Sequence, residues 1–175
     1  MMIAYHDTEW GRAEHDDKKL FEFLVLESFQ AGLSWYIVLK KRENFRKAFA
    51  DFDVKKAAKF NKREIEILVN DAGIIRNRLK IEAAINNAKC FLQIQKEFGS
   101  FDKYAWSFVN NKTVANKRKS LKDIPASTPE TDKMRADMGK RGFKFRGTTI
   151  CYAFMQAVGM VNDHLTDCFC YKSCC

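Results

Sequence analysis

The sequence predicts an all-α protein, and three features support this fold class. Two prolines and eight glycines among 175 residues leave long helices unbroken and disfavour a many-turned β-sandwich. Apolar residues make up 46% of the chain, which is enough for a packed core and argues against general disorder. Several segments also repeat apolar residues at spacings of three and four, as one face of a helix requires. We expect a single domain over residues 1–175, with two helical lobes as an allowed arrangement.

The beginning of the chain is expected to be irregular and to lead into a buried helix. Residues 1–16 are polar and show no helical periodicity. Asp16 or Asp17 can cap a helix over about 17–31, because a short carboxylate accepts hydrogen bonds from the free N–H groups of a first turn. Apolar residues occupy most sides of this helix, which is typical of a central position, and Gly32 is expected to end it.

Amphipathic helices are predicted for most of the remaining chain. One begins near Ser34, short helices cover 54–70, and a glycine turn at 71–75 precedes a long helix. The buried stripe of the long helix consists of Ile81, Ile85, Ala88 and Leu92. Further helices are predicted over 101–109, after the start signal Ser127-Thr128-Pro129-Glu130, and over about 149–159, whereas 110–123 and 140–147 are predicted as basic loops.

The charge and the ends of the chain restrict its partners and its location. The chain has 31 basic and 22 acidic residues, so its formal net charge is +9. This surplus favours a polyanionic partner, although it also fits a basic protein whose charge serves only solubility. Residues 1–7 lack the pattern of a signal peptide, and no apolar run is long enough for a membrane span. We therefore expect a cytoplasmic protein without a membrane partner.

A glycine turn between two predicted helices, over about 62–90, indicates a helix-hairpin-helix. Gly73 permits a sharp turn, and Ile74 follows it directly. The free N–H groups of the second helix can then hold a DNA phosphate without reading the base sequence, with Arg76 nearby. The alternative is an ordinary turn between two helices.

A carboxylate and an indole near the end of the central helix indicate a binding pocket. Glu27 lies on the apolar stripe of that helix, where a charge is costly unless it is paired or functional. Trp35 follows across a short turn. Together they suit a flat cationic ring. The carboxylate would accept hydrogen bonds from the N–H groups of the ring, and the indole would stack on its face. The alternative is a satisfied structural carboxylate beside a core tryptophan.

Histidine and cysteine residues near both ends of the chain indicate a metal site. His164 and Cys168 are four residues apart, so both can face one ion on a helical turn. His6 can join them only if the two ends of the chain meet. The alternative is a set of unrelated residues. The cysteine-rich end, which consists of Cys168, Cys170, Cys174 and Cys175, fits either metal ligands or a disordered tail.

Taken together, these segments resemble 3-methyladenine DNA glycosylase I, a family of the helix-hairpin-helix DNA glycosylase superfamily. The matching blocks occur in the same order along nearly the whole chain. They are Ala4-Tyr5-His6-Asp7, Glu9-Trp10-Gly11, Leu26-Glu27, Gln30-Ala31-Gly32-Leu33-Ser34-Trp35, Leu39-Lys40-Lys41-Arg42-Glu43, Asp71-Ala72-Gly73-Ile74-Ile75-Arg76, Trp106-Ser107-Phe108-Val109-Asn110, Arg141-Gly142-Phe143-Lys144-Phe145, and Gly159-Met160-Val161-Asn162-Asp163-His164 with Cys168.

The resemblance implies a set of site residues. It assigns Glu27 as the catalytic pocket carboxylate and places Tyr5, Trp35 and Trp10 among the residues that bind the substrate. It also implies a structural zinc ion that ties the two termini together, with His6, His164 and Cys168 as three of its four ligands. Family members usually begin earlier, with a cysteine ligand and an aromatic residue over the pocket. The fourth ligand is therefore expected to be water, Cys170 or Cys174.

The implied activity is hydrolysis of the N-glycosidic bond of 3-methyladenine in duplex DNA after the base is flipped out. Leu33 is expected to enter the vacated base stack, and Lys144 is expected to contact the DNA backbone. The enzyme is expected to act as a monomer. Three alternatives remain open at this stage: an inactive module that binds damaged DNA, a glycosylase for another alkylated base, and a zinc-stabilised interaction protein.

Overall fold

The computed structural model describes residues 1–174, and its regular secondary structure is almost entirely helical. The helices are α1 (Met2–Thr8), α2 (Asp17–Gln30), α3 (Trp35–Lys40), α4 (Arg42–Ala48), α5 (Val54–Ala57), α6 (Lys62–Asn70), α7 (Arg78–Phe98), α8 (Phe101–Ser107), α9 (Pro129–Lys140) and α10 (Thr148–Ala157). Two short strands, β1 (Val114–Ala115) and β2 (Val161–Asn162), pair in parallel. The all-α prediction is confirmed. Cys175, part of the cysteine-rich end noted above, lies outside the described residues.

Helix α2 lies at the centre of the core, as its composition predicted. Asp16 caps its first turn by accepting a hydrogen bond from the Lys19 N–H at 2.9 Å. Phe21 packs edge-on against Phe91 of α7. Because α2 also packs against α3, α8 and α10, its residues near the C-terminal end have fixed positions among several helices.

The prediction of an irregular start is wrong for residues 2–8, which form α1. Met1 offers no side-chain cap, and seven residues are too few to show a periodic stripe. Tertiary contacts instead hold the helix, because Tyr5 is buried in the core. As a consequence, α1 places Tyr5 in the core and His6, whose side chain is partly exposed, directly beside it in the chain.

A buried charge network fixes the end of α1 against α2 and α4. Arg42 donates hydrogen bonds to Glu22 at 2.7 Å and to both carboxylate oxygens of Glu9. Burial by itself raises the pKa of Glu22, but the hydrogen bond and charge of Arg42 outweigh burial and lower that pKa. Arg46 adds a further hydrogen bond to Glu22 at 3.0 Å. Arg42 is thus the only guanidinium that joins α1 to α2 among residues 1–174.

The basic stretch 110–123 is non-helical except for a 3₁₀ turn, and it is tied to the C-terminal segment. Four side chains converge on the fully buried carboxylate of Asp163. The donors are Asn116 Nδ2 at 2.8 Å, Arg118 Nε at 3.0 Å, Tyr152 OH at 2.5 Å and Gln156 Nε2 at 2.8 Å. Burial raises the pKa of Asp163, but these four hydrogen bonds outweigh burial and lower it.

Two pairs of helices are joined by tight turns. The first hairpin is α6 and α7 with the turn 71–77, and the second hairpin is α9 and α10 with the turn 141–147. In the first hairpin, Lys41 Nζ donates to the carbonyl oxygens of Ala72 and Gly73. In the second, the Asn87 side chain bonds both the N–H and the carbonyl of Lys144. Across residues 1–174, none of the helices combines the length and the apolar character that a bilayer crossing requires.

Candidate active site

A cavity of about 310 Å³ lies where α1, α2, α3 and α10 meet. Its walls contain all four residues predicted to bind or act on a substrate. The lining residues are Tyr5, Trp10, Glu27, Gln30, Trp35, Thr149, Ala153 and Gln156. The fold therefore brings together side chains that lie as much as 151 positions apart, from Tyr5 to Gln156 (156 − 5 = 151).

Glu27 is a buried carboxylate in this cavity with no partner in the described part of the chain. It is 5% exposed, and none of residues 1–174 gives it a hydrogen bond or an ion pair. Burial raises its pKa to about 8. Buried polar groups in proteins are nearly always satisfied, so an unsatisfied one in a cavity is suited to a ligand.

Two further polar atoms in the cavity are also unsatisfied. The hydroxyl group of Tyr5 and the Nε1 of Trp35 are buried without a hydrogen-bond partner among residues 1–174. Their rings lie 5.5 Å apart with their planes tilted by 50°. Burial, followed by the negative charges of Glu27 and Glu9, raises the pKa of Tyr5, so its hydroxyl keeps its proton. The cavity thus offers an acceptor, donors and aromatic faces, which together suit a flat polar ring.

A larger hollow elsewhere lacks this chemistry. It measures about 460 Å³ and lies beside the 3₁₀ turn Ala50–Phe52. The charged groups on its rim satisfy one another, since Lys18 bonds Asp51 and Asp53 caps α5. The smaller cavity instead holds the unpaired polar groups of Glu27, Tyr5 and Trp35, so it is the stronger candidate of these two for a binding site.

The turn between α2 and α3 sets the relative position of Glu27 and Trp35. Gly32 adopts a φ of +79°, which a residue with a Cβ rarely adopts. Lys80, buried on α7, donates to the carbonyl oxygens of Phe29 and Ala31 at 2.8 and 2.6 Å. Lys80 therefore satisfies two of the last carbonyl groups of α2 and holds this end of the helix against α7.

The two ends of the chain meet, and this brings the predicted residues His6, His164 and Cys168 close to one another. Cys168 Sγ lies 3.7 Å from His6 Nε2 and 3.6 Å from His164 Nδ1. The ligand atoms of His6, Cys168 and Cys170 lie within 4.8 Å of one another, whereas His164 approaches this group through Cys168. The second ring nitrogen of each histidine is engaged as well, since His6 Nδ1 contacts Asp7 and His164 Nε2 contacts the Trp10 carbonyl at 3.2 Å.

The residues predicted to touch DNA differ in their exposure. Arg76 and Lys144 are exposed, and Leu33 is half-buried on the turn after α2. Ile74 is 2% exposed and belongs to the core, and its N–H donates to the Asp71 carbonyl oxygen at 3.3 Å. Gly73 forms part of the first hairpin, where its N–H is already bonded to the Asp71 side chain at 2.7 Å.

Sequence reasoning missed one whole wall of the cavity. Thr149, Ala153 and Gln156 are spaced by four and three residues, which places them on one face of α10. The sequence contains this spacing, but α10 is apolar on most sides, so the pattern did not indicate which face of the helix would line a pocket. Gln30 was also missed, and it additionally donates to the Leu33 carbonyl at 2.7 Å.

The fold and the cavity together define a class: a helical protein with two helix hairpins and an open pocket whose lining suits a flat, polar, aromatic ring. Comparison with known proteins assigns the chain more narrowly. The family model described as methyladenine glycosylase matches residues 1–171, and the chain belongs to this family.

Three similar proteins support the assignment. DNA-3-methyladenine glycosylase 1 of Escherichia coli (strain K12) is 53% identical over 98% of this chain and 91% of its own length. A crystal structure of 3-methyladenine DNA glycosylase I is 52% identical, with a TM-score of 0.93 over 96% of this chain and 92% of that chain. A crystal structure of a variant of such an enzyme in complex with 3-methyladenine is 36% identical, with a TM-score of 0.93 over 95% and 90%.

Proposed function

We propose that this protein releases 3-methyladenine from alkylated duplex DNA by hydrolysing the N-glycosidic bond, as the first step of base-excision repair. One observation carries the proposal: the carboxylate of Glu27 lies buried and unpaired in a cavity with aromatic walls. The similar proteins described above bear the name of this activity. We expect it to act as a monomer, because the eight residues that line the cavity come from one chain.

Recognition in this proposal depends on charge. Methylation at N3 makes the purine of the nucleotide cationic, and a nearby cation favours the ionised form of a carboxylate. Glu27 would therefore ionise as the lesion binds, although burial alone raises its pKa to about 8. Normal adenine is neutral and cannot offset the burial of this charge. The pocket thus distinguishes the damaged base from the normal one.

The aromatic residues hold the ring of the base. Trp35 stacks on the cationic purine, which adds a cation–π interaction. The Tyr5 hydroxyl, which has no partner among residues 1–174, donates to an acceptor on the base. Trp10 forms a further part of the wall. Since the base leaves as a neutral molecule, strong protonation is not required, and Glu27 acts chiefly by recognition.

The base must leave the duplex before the pocket can enclose it. The turn that carries Leu33 is next to the pocket, because Gln30 lines the cavity and bonds the Leu33 carbonyl. Leu33 would fill the space left in the base stack. Backbone groups near Gly73 and Ile74, together with Arg76, would bind the phosphates at the first hairpin.

The second hairpin also suits a phosphate contact beside the pocket. Helix α10 begins after Gly147, which provides no side-chain cap, so its first N–H groups are free to bind an anion. Thr149 in the first turn of α10 lines the cavity. A phosphate held there, with Lys144 close by in the chain, would place the flipped nucleotide at the pocket.

Lys144→Ala is expected to weaken binding to any duplex and to reduce the slope of log affinity against log salt by about one. The side chain of Lys144 is exposed, so its removal leaves the core intact. Fluorescence anisotropy with a short duplex over a range of salt concentrations measures both effects. Lys56→Ala on α5 is the matched control. An unchanged slope for Lys144→Ala would exclude a phosphate contact.

The side chains of His6, His164, Cys168 and Cys170 form a set of ligands that fits zinc. Two thiols and two imidazoles form a combination that favours tetrahedral zinc. Two ligands of one such ion, a sulfur and a nitrogen, lie about 3.5 Å apart, close to the separations of Cys168 Sγ from His6 Nε2 and His164 Nδ1. We therefore assign His6, His164, Cys168 and Cys170 as the residues that would hold zinc.

Zinc in this site would have a structural role. When bound, it would act as a crosslink between α1 and the C-terminal segment rather than as a reactant. His6 is adjacent to Tyr5, and His164 contacts the backbone of Trp10. The ligands therefore position two walls of the pocket.

Purified protein is expected to contain about one zinc ion per chain. Cys168→Ser should lose most of the metal and unfold at a lower temperature, because the crosslink is gone. Cys170→Ser should bind zinc more weakly, and Cys90→Ser, a buried thiol on α7, should retain it. Metal analysis and competition with a chelator measure these effects. Wild-type affinity in Cys170→Ser would leave water or Cys174 as the fourth ligand.

A further inference from the structure

Gln156 is the one cavity residue whose polar group is held by a buried carboxylate. It lies on α10, lines the cavity, and donates from Nε2 to Asp163 Oδ2 at 2.8 Å. Its amide oxygen, Oε1, has no hydrogen-bond partner among residues 1–174. The residue is half-buried and forms part of the cavity wall.

The orientation of the Gln156 amide follows from the chemistry of Asp163. An ionised carboxylate only accepts hydrogen bonds, so the amide must direct its NH₂ group toward Asp163. Asp163 itself cannot turn away, because Tyr152, Arg118 and Asn116 also donate to it. The carbonyl oxygen of Gln156 is therefore fixed as an acceptor, and the side chain cannot flip to present a donor.

We propose that Gln156 Oε1 is a second hydrogen-bond acceptor for the bound base and that it selects adenine-type over guanine-type lesions. This inference rests on the proposed function. In the nucleotide, the exocyclic amino group holds the only N–H donors of 3-methyladenine, and it has two of them. Glu27 and Gln156 together provide two acceptors in one cavity.

Selectivity follows from what a guanine-type base would present to the same acceptors. Where adenine has an amino group, guanine has a carbonyl oxygen, which cannot donate. Two acceptors would then face a third, and a buried acceptor without a donor is unfavourable. Asp163 acts in this scheme as a positioning residue, since it reaches the base only through Gln156.

The decisive variant is Gln156→Met, which keeps the length of the side chain and removes both polar atoms. Asn116→Leu is the matched control, because it also removes one donor from Asp163 but does not line the cavity. For each variant, we would measure the affinity for free 3-methyladenine and the release of 3-methyladenine and 3-methylguanine from methylated DNA. If Gln156→Met fails to fold, Gln156→Asn withdraws the amide by one methylene and addresses the same question.

Gln156→Met is expected to bind 3-methyladenine about tenfold more weakly and to lose part of its preference for 3-methyladenine over 3-methylguanine. Asn116→Leu should keep the affinity and the preference of the wild type. Equal losses in the two variants, or no change in Gln156→Met, would overturn the proposal. If the wild type releases no base at all, the proposed function fails, while the binding comparison still decides whether Gln156 contacts the base.

Discussion

Glu27→Gln is expected to lower the rate of 3-methyladenine release by about a hundredfold, because hydrogen bonds to a charged group contribute roughly 1.5–3 kcal/mol. The variant keeps the shape of the side chain and an oxygen acceptor, but it lacks the negative charge that attracts the cationic purine. Single-turnover release of free base from methylated DNA is the appropriate measurement. Unchanged release would show that Glu27 is not the group that recognises the lesion.

The pH dependence of the free energy of unfolding provides an independent test of Glu27→Gln. Burial raises the pKa of Glu27 from 4.5 to about 8. Between pH 4.5 and about 8, Glu27 is therefore protonated in the folded protein but ionised in the unfolded chain. Glu27 therefore reduces stability as pH rises from 4.5 to about 8, and the full reduction is present above that range. Glu27→Gln removes this dependence. Urea unfolding at pH 5 and pH 9 should show a smaller difference for the variant than for the wild type.

Arg42→Met is expected to destabilise the protein by about 3–5 kcal/mol, because it leaves a buried carboxylate without its main partner. Glu22 is 3% exposed and would keep the hydrogen bond from Arg46 and the more distant ammonium group of Lys19 at 3.5 Å. Glu9 would lose both of its hydrogen bonds to Arg42, so the end of α1 would lose its attachment to α4. Urea unfolding measures the loss of stability.

The matched control is Arg78→Met, which removes an arginine from an exposed pair. Arg78 bonds Glu66 at 2.8 Å, and both side chains are about half exposed, so little change is expected. Arg42→Met should also reduce base release, since α1 carries Tyr5. A loss of stability no larger than that of Arg78→Met would show that the network contributes little to the fold.

Local sequence signals were sufficient for the central helix and for part of the pocket. The cap at Asp16, the apolar run to Phe29 and the turn at Gly32 depend on neighbouring residues only, and the structure has all three. Glu27 was identifiable because a carboxylate on an apolar stripe is unusual. The resemblance added Tyr5 and Trp10, whose placement in the cavity no local pattern could have indicated.

The sequence by itself therefore determined the helical class, the central helix and the types of side chain available for recognition and metal binding. Only the tertiary structure decided which of them meet. Tyr5 of α1 became buried in the core, Cys170 came close to His6 from the other end of the chain, and Asp163 fixed the amide of Gln156. The physical reason is the distance along the chain over which each kind of interaction acts. Caps, turns and helical stripes arise from residues within a few positions of one another, whereas a pocket is made of side chains that approach only when helices pack.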